Sequence, residues 1–470
     1  MSEKKLVVIG AGPGGYPAAF LAADSGMDVT LIDQEANPGG VCLYRGCIPS
    51  KALLHIAKVI TEAREASRIG VTFAEPAVDI DKMREWKERV VKKLTDGLGQ
   101  LSTQRKINYI RGRARFLDAH TVLVTNSDGP EERIAFQHAI LASGSRPATI
   151  PGLPDSPRIW DSTGALSLET IPPSLLIIGG GYIGLELGYA YATLGTKVSV
   201  VEMLPGLLPG ADRDLVTPLA KRLEKLFASI LLNTNVVELK DDGHGICVKL
   251  EGPDVKQAEQ TFDRVLVSVG RKPNSGDLSL ETMNIQIDAK GFIQVDGQRR
   301  TAEPSIFAIG DVAGEPMLAH KATHEGRVAV EAISGKKSVF EPRAIPGVVF
   351  TDPEIAWCGL TEAQAERDKI PVKMSRFPWA ASGRCTTLNR SDGVTKLVID
   401  PATDRVLGVG ICGPGAGELI AECTLAVEMG ATAKDLALTI HPHPTLSETI
   451  MESAEAYYGH CTHVFRRREK

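Results

Sequence analysis

The chain has 470 residues, too many for one hydrophobic core and enough for three or four domains. No apolar run reaches the roughly 18 residues that a membrane helix needs, which leaves no expected membrane span. A formal net charge of −5 argues against a nucleic-acid face, and eight cysteines in so long a chain do not make a disulfide-dense secreted scaffold.

The start, Met1-Ser2-Glu3-Lys4-Lys5, runs straight into a strand and leaves no room for a signal peptide, so a cytoplasmic protein is expected. Lys5–Ile9 is a β-branched run that leads into Gly10, Gly12 and Gly15. The small apolar stretch Tyr16–Ala23 reads as a helix packed on a sheet. Its Pro17 falls in the first turn, where a missing N–H is tolerated. Val29–Ile32 is the next strand and ends on Asp33. In a strand–turn–helix–strand unit of this kind, glycines let backbone approach a pyrophosphate at a helix N-terminus, and the acid takes a ribose hydroxyl.

Next comes Gly39–Lys51 (GGVCLYRGCIPSK), one short loop with Cys42 and Cys47 five apart. In a reducing compartment a close pair reads as catalytic or metal-binding. On a regular helix the two would lie about 140° apart in azimuth, so a bridge needs irregular backbone, which Gly46 and Pro49 permit. A zinc site needs further ligands. His320 and His324 share a helical spacing, but nothing else completes a set, and no metal is expected. Cys247, Cys358, Cys385, Cys412, Cys423 and Cys461 show no pairing motif, and most read as small buried apolar residues.

The first unit closes on the strand Ala139–Ala142, and Pro151–Pro154 reads as a linker. The pattern then repeats. Gly179, Gly181, Gly184 and Glu202 stand 169 positions after Gly10, Gly12, Gly15 and Asp33, with the same 18-residue gap to the acid. One fingerprint is weak evidence, whereas two in the same strand context are strong. Glu202 would repel a 2′-phosphate, which favours NAD over NADP. Two dinucleotides imply two tasks, with FAD resident and a nicotinamide exchanging, since a flavin bridges thiol and hydride chemistry. Val265–Val269 closes this second unit, and Ile306–Asp311 is a further strand ending on Gly-Asp.

Beyond about Ala344 no fingerprint occurs. Strand-like runs at 348–350, 396–399 and 409–411 and a helical pattern over Glu418–Met429 read as an α+β domain. Near its end, His443 and Glu448 have the spacing of a proton-transfer dyad, in which a carboxylate orients an imidazole. The alternative is a turn shaped by Pro442 and Pro444 with surface histidines. The His443–Pro444 bond is expected to be cis. Arg466–Arg468 reads as a solvated tail. The fold class is therefore α/β, with two Rossmann-like dinucleotide-binding domains plus an α+β C-terminal dimerisation domain. The expected boundaries are 1–150 (first part of the FAD domain), 151–274 (NAD), 275–345 (a central domain completing the FAD site) and 346–470 (interface).

Together, Gly39–Lys51, Gly179–Glu186, Gly310-Asp311 and His441–Glu448 resemble the FAD-dependent pyridine nucleotide–disulfide oxidoreductases. Within that family they resemble the branch that reoxidises protein-bound dihydrolipoyl groups. The resemblance runs from about Leu6 to His460. It implies that Gly10, Gly12, Gly15, Asp33, Gly40, Lys51, Ala114, Gly144, Asp311 and Ala319 hold FAD. It implies that Gly179, Gly181, Gly184, Glu202, Val236 and Gly270 line the NAD site. Cys42 is then the exchange thiol, Cys47 the thiol beside the flavin, and Lys51 pairs with Glu186. His443 is the acid–base residue, oriented by Glu448 and supplied across a homodimer. The implied partner is the lipoylated E2 component of a 2-oxo-acid dehydrogenase complex. The alternative within the family is an NAD(P)H-dependent disulfide or metal reductase, and outside enzymes a flavoprotein scaffold. Tyr182 resembles a lid tyrosine of glutathione-reducing relatives.

Overall fold

The computed structural model describes residues 4–127 and 129–465; the Arg466–Arg468 stretch lies outside them. The first sheet has seven strands, in the order Ile306–Ala308, His138–Leu141, Lys5–Ile9, Asp28–Asp33, Asn108–Asp118, Thr121–Asn126 and Glu132–Ala135. The first five run parallel and the last two return antiparallel. Leu6, Val8 and Leu31 are buried in the layer beneath two helices, Gly15–Asp24 and Ala319–Ile333, which pack together. Their contact is made of small residues. A Cβ on Gly326 would meet the Gly14 carbonyl at 2.9 Å, so the two helices approach at backbone distance.

The second sheet has five parallel strands, in the order Ser229–Leu231, Lys197–Val201, Ser174–Ile178, Arg264–Val267 and Ile159–Trp160. A three-stranded antiparallel meander, Asn235–Glu251 with Glu259–Phe262, covers part of it. The helix Tyr182–Thr193 is buried over most of its length because it lies between its own sheet and the helix Cys47–Glu65. Leu53, Leu54 and Ala57 from one unit thus share a core with Leu185, Leu187 and Tyr189 of the next. A two-stranded ribbon, Ser145–Pro147 against Arg271–Pro273, ties the units again. The chain from Gly347 folds as a five-stranded antiparallel sheet carrying the helices Ala416–Met429 and Glu448–Tyr458. This is the α/β arrangement, with two Rossmann-like units and an α+β end, that the sequence implies.

Two expectations need correction. The cysteine segment is not one loop. Cys42 sits on the helix Gly40–Arg45 and Cys47 opens the helix Cys47–Glu65, with the break confined to Gly46 (φ −140°, ψ −114°). A Cβ on Gly46 would meet the Val41 carbonyl at 2.9 Å, which explains a glycine at this corner. Pro49, expected to help the irregularity, lies in the first helical turn, where it costs no hydrogen bond. The helix Ile80–Gln104, capped by Asp79 at the Lys82 N–H, was not anticipated. The His443–Pro444 peptide is cis. Among the described residues no helix is long and apolar enough to cross a membrane.

Candidate redox site

The first glycine turn is built for a ligand that approaches backbone. Gly10 has φ +97°, and a Cβ there would lie 2.3 Å from the Ala142 carbonyl. Gly40, at φ +57°, would place a Cβ 2.5 Å from the Cα of Gly12. Two turns that admit no side chain therefore face each other at one wall of a cavity of about 490 Å³. Asp33 reaches the same wall, with Oδ2 accepting from the Ala11 N–H at 2.6 Å and Oδ1 from the Glu35 N–H at 3.0 Å. Gly40, Gly144, Asp311 and Ala319 also line this cavity, so residues from four separate stretches converge. Gly15 does not. A Cβ on it would meet the Gly10 carbonyl at 1.8 Å, so it serves close helix–turn packing. Ala114 is buried in the core of the first sheet and its side chain does not line the cavity.

Cys42 and Cys47 open onto the same cavity as free thiols. They are tightly linked. The hydrogen bond they share pushes Cys42 up, and burial adds to this. The same bond pushes Cys47 down to about 7, against burial and with help from the Lys51 ammonium. Cys47 is thus the more acidic of the two thiols, and a lowered thiol pKa marks a reactive sulfur.

Lys51 is held by Glu186, with Nζ 2.7 Å from Oε2. Glu186 is only 3% exposed, and both oxygens of its carboxylate accept hydrogen bonds. Ser50 Oγ donates to Oε2 at 3.1 Å, and the Phe350 N–H donates to Oε1 at 2.9 Å. The Lys51 ammonium also sits 4.4 Å from the centre of the Phe350 ring. The redox helix, the second unit and the C-terminal unit therefore fix one lysine jointly. Sequence reasoning missed Ser50 and Phe350, whose contact with Glu186 spans 164 positions and has no local signal.

Further along the cavity Ser145 Oγ donates to Asp311 Oδ2, and Arg271 donates to the Ser145 hydroxyl and carbonyl at 2.7 and 2.8 Å. Sequence reasoning missed Ser145 and Arg271 also, although Gly144 and Gly270, expected at the FAD and NAD sites, stand directly before them. Tyr182 lines the cavity as well, and burial pushes its phenol up to about 12.

The second fingerprint repeats the wiring of the first. Glu202 Oε2 accepts from the Gly180 N–H at 2.6 Å and Oε1 from the Leu204 N–H at 2.8 Å, as Asp33 does at Ala11 and Glu35. Gly179 (φ +109°) would place a Cβ 2.3 Å from the Ser268 carbonyl, and one on Gly184 would lie 2.7 Å from the Gly179 carbonyl. Gly181 and Gly270 have open space where a Cβ would stand. Val236 packs against the core of this unit.

The His–Glu segment forms the expected pair. His443 Nδ1 lies 2.8 Å from Glu448 Oε1, and Glu448 Oε2 accepts from the Thr445 N–H at 2.7 Å. Burial pushes Glu448 up, but the Thr445 N–H and the imidazole outweigh it and hold the carboxyl below its ordinary value. The His443 side chain is 76% exposed, and neither it nor Glu448 lines the cavity of the cysteines. Within one chain the structure does not bring dyad and dithiol together.

Other polar clusters serve the fold. The carboxylates of Asp212, Asp214 and Glu362 lie close enough together to hold a cation. The Lys396 ammonium is 2.7, 2.7 and 3.1 Å from them. Of the six other cysteines, Cys358, Cys385, Cys412 and Cys423 are buried, as expected of most of them, whereas Cys247 and Cys461 are half-buried and Cys461 hydrogen-bonds Glu452.

Residues 4–326 match the family model described as pyridine nucleotide-disulphide oxidoreductase, and residues 345–454 match its dimerisation domain. A dihydrolipoyl dehydrogenase of Vibrio cholerae is 49% identical over 98% of this chain and 97% of its own. One of Geobacillus stearothermophilus is 45% identical over 98% of each. Among solved structures, LpdA from Mycobacterium tuberculosis superposes with a TM-score of 0.89 at 27% identity, covering 97% of this chain and 99% of that one. The Cu(II) complex of the HOCl-induced flavoprotein disulfide reductase RclA from Escherichia coli does so with 0.86 at 28%, covering 97% and 100%.

Proposed function

The chain belongs to the pyridine nucleotide-disulphide oxidoreductases, and from that premise we propose that it oxidises protein-bound dihydrolipoyl groups and reduces NAD⁺. It is an oxidoreductase that uses FAD and NAD. The observation that carries the reading is that Cys42, Cys47 and the Glu186-bound Lys51 line the same cavity as the first glycine fingerprint. FAD fits the double glycine cradle and Asp33, and when bound it supplies a two-electron carrier between thiol and nicotinamide.

The chain's own residues perform the sulfur chemistry. In the oxidised enzyme Cys42 and Cys47 are joined. One substrate thiolate attacks Cys42 Sγ, the Cys42–Cys47 bond breaks, and Cys47 leaves as a thiolate. Lys51 stays beside Cys47 through this step and stabilises the departing thiolate, which makes Cys47 the better leaving group. His443 takes the proton of that first substrate thiol, and the second substrate sulfur then displaces Cys42, its own proton passing to the Cys42 sulfur, which releases the cyclic lipoyl disulfide and leaves both cysteines reduced. Glu448 holds the imidazole so that the opposite ring nitrogen faces the substrate. Because the dyad stands apart from the dithiol within one chain, His443 is proposed to act in the site of a second copy. The Glu202 carboxylate selects NAD⁺, and Gly179, Gly181, Gly184 and Gly270 line its path. Gly10, Gly12, Gly40, Gly144, Asp311 and Ala319 bind FAD. The proposed partner is a lipoylated E2 component, and the proposed compartment, where these thiols stay exchangeable, is the cytoplasm.

Turnover tests the proposal. The holoenzyme forms NADH from dihydrolipoamide and NAD⁺, with NADP⁺ poorly used. A second reading, a disulfide or metal reductase, is favoured by the structural likeness to the disulfide reductase seen with Cu(II). A preference for NADPH-driven reduction of disulfides or Cu(II), with no dihydrolipoamide turnover, would select it.

A further inference from the structure

Glu325 is 0% exposed, and a carboxylate so placed needs a reason. Its Oε1 takes two cations, Arg299 Nη1 at 3.0 Å and Lys321 Nζ at 3.1 Å. Its Oε2 takes one backbone group, the Gly310 N–H at 2.6 Å. Lys321 then turns to the other side of the same residue, donating to the Gly310 carbonyl at 3.3 Å and to the Gly314 carbonyl at 2.9 Å. The triad therefore grips both ends of the short helical turn Gly310–Ala313. Gly310 sits at φ +73°, and a Cβ there would lie 3.1 Å from that of Ala322, one residue beyond Lys321. From the same helix, Thr323 Oγ1 donates to the Pro13 carbonyl at 2.7 Å and so ties the first glycine loop as well.

We propose that Glu325, Lys321 and Arg299 are positioning residues for FAD, fixing the Gly310 peptide so that Asp311 presents its carboxylate to the cavity. A buried ion triad is a poor device for stability alone, because desolvation offsets its Coulomb gain. It is a good device for orientation, since charged hydrogen bonds are short and directional. Glu325 holds the Ile309–Gly310 peptide through its N–H and Lys321 holds the Gly310–Asp311 peptide through its carbonyl, so both peptides that flank Gly310 are pinned. The turn is thus held in one state before any ligand arrives, and Asp311 keeps its link to Ser145 and Arg271. The triad carries a net charge of +1, which suits a site for an anionic dinucleotide. The inference rests on the reading that the cavity takes FAD.

The test is FAD affinity, measured by flavin fluorescence as FAD is titrated into apoprotein, alongside urea unfolding of the same apoprotein. Glu325→Gln keeps shape and one acceptor but removes the charge. Lys321→Met removes only the carbonyl contacts and one cation, and keeps the test available should the first variant fold poorly. Lys396→Met removes an equally buried lysine from an ion cluster away from the cavity and is the control for general destabilisation. The expected result is an FAD Kd raised about tenfold or more in both triad variants, the loss of a charged hydrogen bond, and less than threefold in Lys396→Met. An unchanged Kd in the triad variants, or one raised no more than in the control, overturns the proposal while leaving the FAD reading intact. Wild-type protein that takes up no FAD overturns that reading itself.

Discussion

Lys51 Nζ lies 2.7 Å from Glu186 Oε2, and the two residues come from different dinucleotide units. The contact fixes a cation beside Cys47 and contributes to that thiol's pKa of about 7. The sign follows directly. A depressed thiol pKa means that thiolate is present above about pH 7 and lost below it. Alkylation of the reduced enzyme by iodoacetamide should therefore rise through about pH 7, below the roughly 8.5 of an ordinary cysteine. Lys51→Met should move the midpoint upward. Mass spectrometry of the modified peptide reads the effect at Cys47.

The separation of the His443–Glu448 dyad from the cysteine cavity makes a subunit-mixing experiment informative. Cys47→Ser and His443→Gln homodimers should each be inactive with dihydrolipoamide. After dissociation and random reassociation, mixed dimers should hold one complete site, recovering about a quarter of wild-type sites. Recovery to that level supports a site shared between two copies. No recovery, with mixed dimers shown by native mass spectrometry, places each site within one chain.

Glu448→Ala should lower kcat with dihydrolipoamide about a hundredfold, the usual worth of a positioned acid–base group. It should leave the pH profile of Cys47 alkylation unchanged, because the Cys42 hydrogen bond and Lys51 set that profile. Steady-state kinetics and the alkylation assay separate the two effects.

Glu202 is 8% exposed and holds two backbone N–H groups of the second fingerprint. Glu202→Ala should raise the KM for NAD⁺ about tenfold, the worth of one charged hydrogen bond. It should also narrow the gap to NADP⁺, whose 2′-phosphate no longer meets a carboxylate. The ratio of kcat/KM values for the two coenzymes reports this.

The Lys396 side chain is 1% exposed and joins the second unit, through Asp212 and Asp214, to the C-terminal unit. Without Lys396 the buried Asp212 loses its cation while Arg376 still pairs Asp214 and Glu362, so Lys396→Met should cost about 1–3 kcal/mol in urea unfolding. Burial pushes Asp214 up, but Lys396 and Arg376 more than offset it and the net shift is downward. Its stabilisation is therefore present above the ordinary carboxylate pKa and is lost as pH falls through the depressed one. The variant should show a shallower loss of stability in acid.

What was legible in the sequence was local. Glycines, a dithiol and an acid at fixed spacing report turn geometry and strand ends, and the same spacing twice reports two units. The wiring confirms why the spacing matters: Asp33 and Glu202 each reach back to a backbone N–H of their own turn. What was not legible depends on distant pairing. Nothing near Phe350 or Ser50 announces that both grip Glu186, and nothing near Lys321 announces Gly310. The helix Ile80–Gln104 carries a sequence signal in Ile80, Met83, Trp86, Val90, Leu94 and Leu98 at helical spacing, although its fully buried positions are Lys87, Thr95 and Ser102. Cys42 and Cys47 were read as a loop because Gly46 and Pro49 look alike as helix breakers, although only Gly46 acts as one.

The central claim is that electrons pass through the Cys42–Cys47 pair. The most direct measurement is NADH formation from dihydrolipoamide and NAD⁺ by Cys47→Ser protein that retains its flavin. The account predicts a rate at least about a thousandfold below wild type, as when a nucleophile is removed, with flavin content unchanged. Full activity without Cys47 would contradict it.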